Sequence, residues 1–296
     1  MRDSFASFHP LVNFLYFTCV ILFSMIFMHP VSLVISLSLA FAYSIYLNGK
    51  KAIKFNFVYM LPFLILTALI NPAFNHEGVT ILTYLHNGNP LTLESITYGL
   101  AAATMFISVI CWFSCYNAVM TSDKFIYLFG KIIPALSLIF SMVLRFVPRF
   151  KAQITIVSNA QKCIGRDIST GSLIHRIKHG IRILSIMVTW MLENAIETAD
   201  SMKSRGYGLQ GRTAFSIFTW DSRDKTALIA LVVSGGYILI GAVTKAMYFR
   251  YFPSMRGVGL SIYSISVFTT YAFLCAIPLI INISEDIKWK SLQSDN

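Results

Sequence analysis

Apolar residues along this chain fall in long blocks, and six of these blocks approach the ~20 residues that a helix needs to cross a bilayer. Short polar breaks separate them. His29-Pro30 divides the first block from the second, and Asn48-Gly49-Lys50-Lys51 closes the second. The pattern therefore predicts six spanning helices. They lie near residues 11–28, 30–48, 55–73, 98–119, 226–245 and 261–282.

The segment between the fourth and fifth predicted spans has a different pattern. Pro134 and Pro148 are expected to interrupt it early. Residues 149–165 alternate apolar and basic positions, which predicts an amphipathic helix that ends at a glycine. A longer helix is predicted from Ser172 to Arg205, because apolar residues recur there at spacings of three and four. These residues are Ile174, Ile177, Ile181, Leu184, Val188, Met191, Ala195, Thr198 and Met202.

These elements predict an all-α membrane protein with about six transmembrane helices and two long amphipathic helices on the cytoplasmic side. Residues 1–120 hold about four spans, and residues 121–225 hold the amphipathic pair. Residues 226–296 form a C-terminal transmembrane hairpin with a short tail. Only 12% of residues are charged, against about 25% in a typical soluble domain, and this excludes an ordinary soluble fold.

Basic residues give the expected orientation. The net charge is +11, and 15 of the 24 Lys and Arg lie between Lys124 and Lys225. Loops on the cytoplasmic side of membrane proteins are enriched in such residues. We therefore expect a multi-pass protein of the cell membrane with both termini in the cytoplasm. The same rule accounts for the basic charge without a nucleic-acid partner.

The two amphipathic helices end in similar sequences. The first reads Ala160-Gln161-Lys162-Cys163-Ile164-Gly165-Arg166, and the second reads Ser201-Met202-Lys203-Ser204-Arg205-Gly206-Tyr207-Gly208. Glycine terminates helices, and basic residues are favoured at helix C-termini by the helix dipole. A docking tip is the alternative, since glycine lets another backbone approach and arginine binds carboxylates or carbonyls. The residues alone leave capping and docking open.

The middle region resembles a known family, the T components of energy-coupling factor (ECF) transporters, which include the cobalt-importer-type permeases. The second signature of that family centres on an Ala-Arg-Gly tripeptide, and Ser204-Arg205-Gly206 is similar to it. The segments that carry the rest of the resemblance are Thr121-Ser122-Asp123, Leu128-Phe129-Gly130, Pro134, Leu144-Arg145-Phe146-Val147-Pro148, Ala160-Gln161-Lys162, Glu193 and Asp200.

Two segments depart from the family pattern. The first Ala-Arg-Gly tripeptide of the family falls here on Cys163-Ile164-Gly165, so Ile164 stands where an arginine is usual. The opening Asp-Pro-Arg-Thr-Lys-type segment is replaced by Phe8-His9-Pro10-Leu11-Val12. The second helix end is therefore expected to carry more of the docking than the first.

The resemblance implies a function in which two coupling helices dock on two ABC-type ATPase subunits. A small substrate-binding membrane protein, the S component, would sit on the same subunit, and the assembly would import a vitamin or a transition metal. The implied docking residues are Ser204, Arg205, Gly206, Gln161, Lys162, Gly165 and Arg166. The implied supporting residues are Glu193, Glu197, Asp200, Lys203, Arg145 and Pro148.

The sequence offers no catalytic set, metal site or cofactor motif, and it lacks the Gly-Lys-Ser/Thr phosphate loop. ATP hydrolysis is therefore expected in partner subunits. One alternative is a membrane-bound transferase acting on lipid-like substrates, which would need two Asp-rich clusters; only Asp221-Ser222-Arg223-Asp224 is present. A second alternative is a conventional ABC permease, which would bind substrate itself and carry one docking helix.

Overall fold

The computed structural model describes residues 3–84, 88–130, 134–169, 171–209, 218–259 and 261–294. Helices dominate these ranges, and the protein is an all-α membrane protein, as the sequence predicts. A π-helical turn, Asn56–Met60, joins the third helix to the fourth. The helices are α1 Pro10–Ile26, α2 Pro30–Asn48, α3 Lys50–Phe55, α4 Leu61–Phe74, α5 Leu93–Val119, α6 Ser122–Gly130, α7 Pro134–Cys163, α8 Leu173–Ser204, α9 Ser222–Val243 and α10 Ile262–Ser294.

Each of the six predicted apolar blocks is helical in the structure. Within the described ranges, five helical stretches are long and apolar enough to cross a membrane, and α1, with 17 residues, is a shorter apolar helix. Histidines begin α1 and α2: the Nδ1 atoms of His9 and His29 accept hydrogen bonds from the amides of Leu11 and Val31. The five stretches are Pro30–Asn48, Lys50–Phe74, Leu93–Val119, Ser222–Val243 and Ile262–Gln293.

Two small antiparallel hairpins interrupt the helices. Strands β1 (Ile81–Tyr84) and β2 (Pro90–Thr92) pair between α4 and α5, and β3 (Phe249–Arg250) pairs with β4 (Arg256–Gly257) between α9 and α10. The sequence pattern does not predict them. Strands of two to four residues are too short for apolar alternation to be recognisable.

Pro148 does not interrupt the helix in which it lies, and the expectation of a break there is wrong. Helix α7 runs from Pro134 to Cys163 and contains Pro148. Pro134 sits at the helix start, where its missing amide hydrogen costs nothing. Pro148 removes one hydrogen bond to the carbonyl four residues earlier, and the bonds on either side of it hold a 30-residue helix together.

The chain divides into two compact units. The transmembrane unit comprises Met1–Phe125 and Phe218–Asn296, and the helix-pair unit comprises Ile126–Ile217. Aromatic side chains with almost no exposure, among them Trp112, Tyr16 and Tyr271, fill the core of the transmembrane unit.

Several polar groups within that core are paired with one another. Trp112 Nε1 donates to Ser36 Oγ at 3.1 Å, Ser36 lies 2.7 Å from Ser24 Oγ, and Tyr16 donates to the Cys275 carbonyl at 3.0 Å. Hydrocarbon supplies no hydrogen-bond partners, so such internal pairing is what allows polar side chains inside a spanning bundle.

Candidate docking site

The helix-pair unit is built on the contact between α7 and α8. The Arg149 guanidinium lies 5.7 Å from the centre of the Trp190 ring, a cation–π contact between the two helices. Ile183 and Met187 on α8 are buried. A groove of about 470 Å³ runs between the helices, and Arg145, Glu197 and Arg205 are among its lining residues.

The first helix end forms a Schellman motif around Gly165. The Arg166 amide donates to the Gln161 carbonyl at 2.9 Å, and the Gly165 amide donates to the Lys162 carbonyl at 3.0 Å. Gly165 has φ +75°, a left-handed conformation that favours glycine. Cys163, Ile164, Gly165 and Arg166 are all exposed at this end.

The second helix end repeats the same geometry. The Tyr207 amide donates to the Met202 carbonyl and the Gly206 amide to the Lys203 carbonyl, both at 3.0 Å. Gly206 has φ +79°. The paired hydrogen bonds align the two ends residue by residue, so Ile164 corresponds to Arg205. Arg166 corresponds to Tyr207, two positions further on, and does not replace the arginine that the first end lacks.

Charges differ between the two ends. At the first end Lys162 Nζ lies 3.5 Å from the Asp167 carboxylate. Hydrogen bonds from the Ser169 amide and hydroxyl, with Lys162 as a further cause, lower the Asp167 pKa. At the second end Arg205 is exposed, and no carboxylate of the described residues lies within ion-pairing distance of it. Among the residues that the structure describes, Arg205 thus has no ion-pair partner, whereas Lys162 is partly neutralised.

The residues implied to support docking occupy different places. Glu193, Glu197 and Asp200 are exposed on α8, and of these only Glu197 lines the groove with Arg145. Those two side chains form no ion pair in the described structure. Lys203 contributes its carbonyl to the helix cap, and its side chain is exposed, as are those of Ser204 and Pro148.

Sequence reasoning missed the residues that join the two helices. Arg149 and Trp190 lie on different helices, and no spacing rule along one helix predicts such a pair. It also gave no structural role to the single Asp-rich cluster, Asp221-Ser222-Arg223-Asp224. In the structure Asp221 and Asp224 form a capping box at the start of α9.

The predicted apolar stripe of α8 is mostly exposed in this chain. Ile174 is 78% exposed, and Ile177 and Ile181 are each 61% exposed. The buried residues Ile183 and Met187 lie beside this stripe. The N-terminal half of α8 therefore offers an apolar surface that the described residues of the helix-pair unit leave uncovered.

Comparison with known proteins gives a consistent result. No family model matches the chain. Proteins called energy-coupling factor transporter transmembrane protein EcfT are similar to it: one from Lactococcus lactis subsp. cremoris is 36% identical over 99 residues, 33% of this chain. One from Listeria innocua is 29% identical over 220 residues, which is 68% of this chain and 81% of the relative. The chain is therefore similar to EcfT proteins.

The strongest matches to EcfT are partial. The alignments span 37 to 42% of the length of the first five relatives, at 33 to 36% identity. The longer alignment with the Listeria innocua protein extends the similarity over most of the chain. The chain is thus similar to a transmembrane transporter subunit, and its own helices make it a multi-pass membrane protein.

Proposed function

We propose that this chain is the T component of an ECF-type importer, which joins two ABC-type ATPase subunits to a small substrate-binding membrane protein. The observation that carries the proposal is the pair of matching helix ends in a chain similar to EcfT. Each end presents a left-handed glycine beside an exposed position that can hold an arginine. The chain itself is proposed to be non-catalytic, with ATP hydrolysis in its partners.

Docking on the ATPases is proposed to be asymmetric. Ser204, Arg205 and Gly206 form the stronger contact, because Arg205 offers planar multi-donor hydrogen bonding and pairs with no carboxylate of the described residues. Gln161, Lys162, Gly165 and Arg166 form the weaker contact, because Ile164 occupies the position that corresponds to Arg205. Both ends face the cytoplasm in this proposal, as do both chain termini.

The substrate-binding partner is proposed to cover the uncovered apolar stripe of α8. Ile177, Ile181 and Leu184 are at least 58% exposed and follow one another at helical spacing. The same stripe contains Met191 and Met202, whose flexible side chains can repack as a partner shifts. Movement of the docked ATPases would then reach the partner through α7 and α8. The imported substrate would be a vitamin or a transition-metal ion, chosen by that partner.

The first test is capture of the ATPase subunits by the tagged chain after mild solubilisation. Arg205→Glu should reduce capture by roughly tenfold or more, since a lost charge-assisted contact is worth about 1.5–3 kcal/mol. Arg182→Glu makes the same charge change at an exposed site outside both helix ends and should leave capture unchanged. ATP-dependent uptake should decrease in Arg205→Glu, in parallel with the loss of capture, and should stay at the wild-type rate in Arg182→Glu.

Ile164→Arg provides the complementary test. It places an arginine at the first end in the position that corresponds to Arg205, so capture should strengthen, and the double variant Arg205→Glu/Ile164→Arg should recover part of the loss. Unchanged capture by Arg205→Glu would refute the docking proposal. A chain that purifies without any ATPase under these conditions would contradict the T-component assignment as well.

A further inference from the structure

The hairpin of α9 and α10 is closed at one end and open at the other. Near the turn, a Cβ atom on Gly241 would stand 2.7 Å from Val267 Cγ1, so the two backbones approach closely there. Tyr237 and Ser266 share a hydrogen bond of 2.7 Å close by. Toward the start of α9 the helices leave a groove of about 510 Å³ between them.

The walls of this groove are almost entirely apolar. Small side chains of α9, Ala227 and Ala230, form one wall, and bulky side chains of α10, among them Phe273 and Ile277, form the other. Both helices are apolar enough to span a membrane. From Arg223 to Ala230 the groove extends roughly 10 Å along α9. Its shape and lining fit a hydrocarbon chain.

Aromatic residues place the open end of the groove at the membrane–water interface. Trp220 directly precedes the α9 cap and stacks on His9 at a ring separation of 4.0 Å. Phe8 lines the mouth of the groove. Tryptophan and other amphipathic rings concentrate at the depth of lipid headgroups. The groove therefore begins at headgroup depth and continues into the hydrocarbon.

Arg223 supplies positive charge at this mouth. Its guanidinium lies 5.4 Å from the centre of the Phe8 ring, which holds it beside the groove. It also lies 3.6 Å from the Asp221 carboxylate, but both side chains are more than half exposed, so this ion pair is weak. Asp221 is engaged as the helix cap. An arginine has five donors, and several stay available for a phosphate.

From this arrangement we infer that the α9–α10 groove is a binding site for an anionic phospholipid. One acyl chain occupies the groove between Ala227 and Ile277, and the headgroup phosphate binds Arg223. The charged residue at the mouth, Arg223, and the apolar residues below it, such as Ala227 and Ile277, all line the same groove. One lipid molecule could therefore contact all of them. The site lies within the transmembrane unit and does not depend on ATPase docking.

The test uses the full chain in detergent, with phosphatidylglycerol or phosphatidylcholine added at equal concentration. Bound lipid is counted by native mass spectrometry, and the unfolding temperature is recorded. Phosphatidylglycerol should bind in larger amounts than phosphatidylcholine and should raise the unfolding temperature of the chain by more. Arg223→Gln should weaken its binding about tenfold, as expected for loss of one charge-assisted contact. Lys225→Gln, an exposed change two residues away, should retain the preference.

A second pair of variants tests the groove itself. Ala230→Phe fills it and should abolish retained lipid, while Val233→Phe places the same aromatic side chain at an exposed position outside the groove lining and should not. Ala227→Leu, a smaller change in the same wall, serves if Ala230→Phe does not fold. Equal binding of both lipids would overturn the headgroup assignment. Unchanged lipid binding in Ala230→Phe, with loss of a co-purifying polypeptide, would identify a protein occupant and overturn the inference.

Discussion

Gly206 and Gly165 adopt a backbone conformation that other residues enter only at a cost. Their φ angles of +79° and +75° lie in the left-handed region, where a Cβ atom crowds the following carbonyl. Each glycine lets the two amides at its helix end reach carbonyls of the last turn. The glycine therefore fixes the direction in which the neighbouring position, Arg205 or Ile164, leaves the helix.

Alanine at position 206 should loosen this end. The left-handed conformation costs Gly206→Ala about 1–2 kcal/mol, and its methyl group would stand 3.1 Å from Leu209 Cδ1. Hydrogen exchange of the Gly206 and Tyr207 amides should accelerate accordingly. Gly180→Ala is the matched control, because Gly180 lies inside α8 with open space around it, and alanine there should stabilise the helix by about 1 kcal/mol. Equal effects of the two changes would argue against a special role for the cap.

For single residues, the sequence predicts the structural features that depend only on neighbouring positions of the chain. Glycine ends a helix by its own backbone freedom, so the residues Gly165 and Gly206 predict both caps. The contact between Arg149 and Trp190 depends on how α7 and α8 cross, which no single residue determines. The docking roles of Ser204 and Arg205 stay a prediction, because they require a partner chain.

Helix α8 carries two neighbouring apolar faces. The predicted stripe includes Ile181, Leu184 and Val188, and these are exposed; the residues buried in the chain are Ile183 and Met187. Periodicity finds an apolar face of a helix but cannot say which part of it packs inside the chain. Pro148 in α7 shows a similar limit of sequence-based prediction. Proline disfavours a helix at its own position, but the flanking helical turns keep α7 continuous through Pro148.

The two faces of α8 should respond differently to truncation. Met187→Ala removes a side chain that is 1% exposed and should destabilise the chain by about 2–5 kcal/mol, seen as a lower unfolding temperature in detergent. Leu184→Ala, at 58% exposure, should change the unfolding temperature little. It should instead weaken capture of the substrate-binding partner. If Leu184→Ala destabilises the isolated chain as strongly as Met187→Ala, this face is not a partner surface.

The N-terminal segment joins distant parts of the transmembrane unit. The His9 amide donates to Asp224 Oδ1 at 3.0 Å, and Asn282 Nδ2 donates to Asp3 Oδ1 at 2.7 Å. Lys124 Nζ donates to the Ala6 carbonyl at 2.5 Å and to the Val119 carbonyl at 3.0 Å. All of these contacts except the one between Lys124 and Val119 link residues more than a hundred positions apart. Composition and periodicity therefore predicted the spans but not how this end of the bundle closes.

Lys124→Met tests this closure of the whole unit. Lys124 is 6% exposed and binds carbonyls of the N-terminal segment and of the last turn of α5, so its loss leaves both carbonyls without this donor. Hydrogen exchange should rise at the amides of Phe5 and Phe8, whereas Lys51→Met, at an exposed lysine, should leave it unchanged.

Burial also gives this test a pH dependence. Burial lowers the Lys124 pKa in the fold, with Asp3 opposing the shift, so the cost of the buried charge is fully present below the folded pKa. As pH rises from the folded pKa toward the unfolded one, the unfolded chain binds the extra proton and the native chain does not. The wild-type chain should therefore gain stability relative to Lys124→Met over that alkaline range. The measurement is the unfolding temperature of the wild type minus that of Lys124→Met, and this difference should increase with pH. A difference that decreases as pH rises would show that Lys124 is not buried as a charge at this junction.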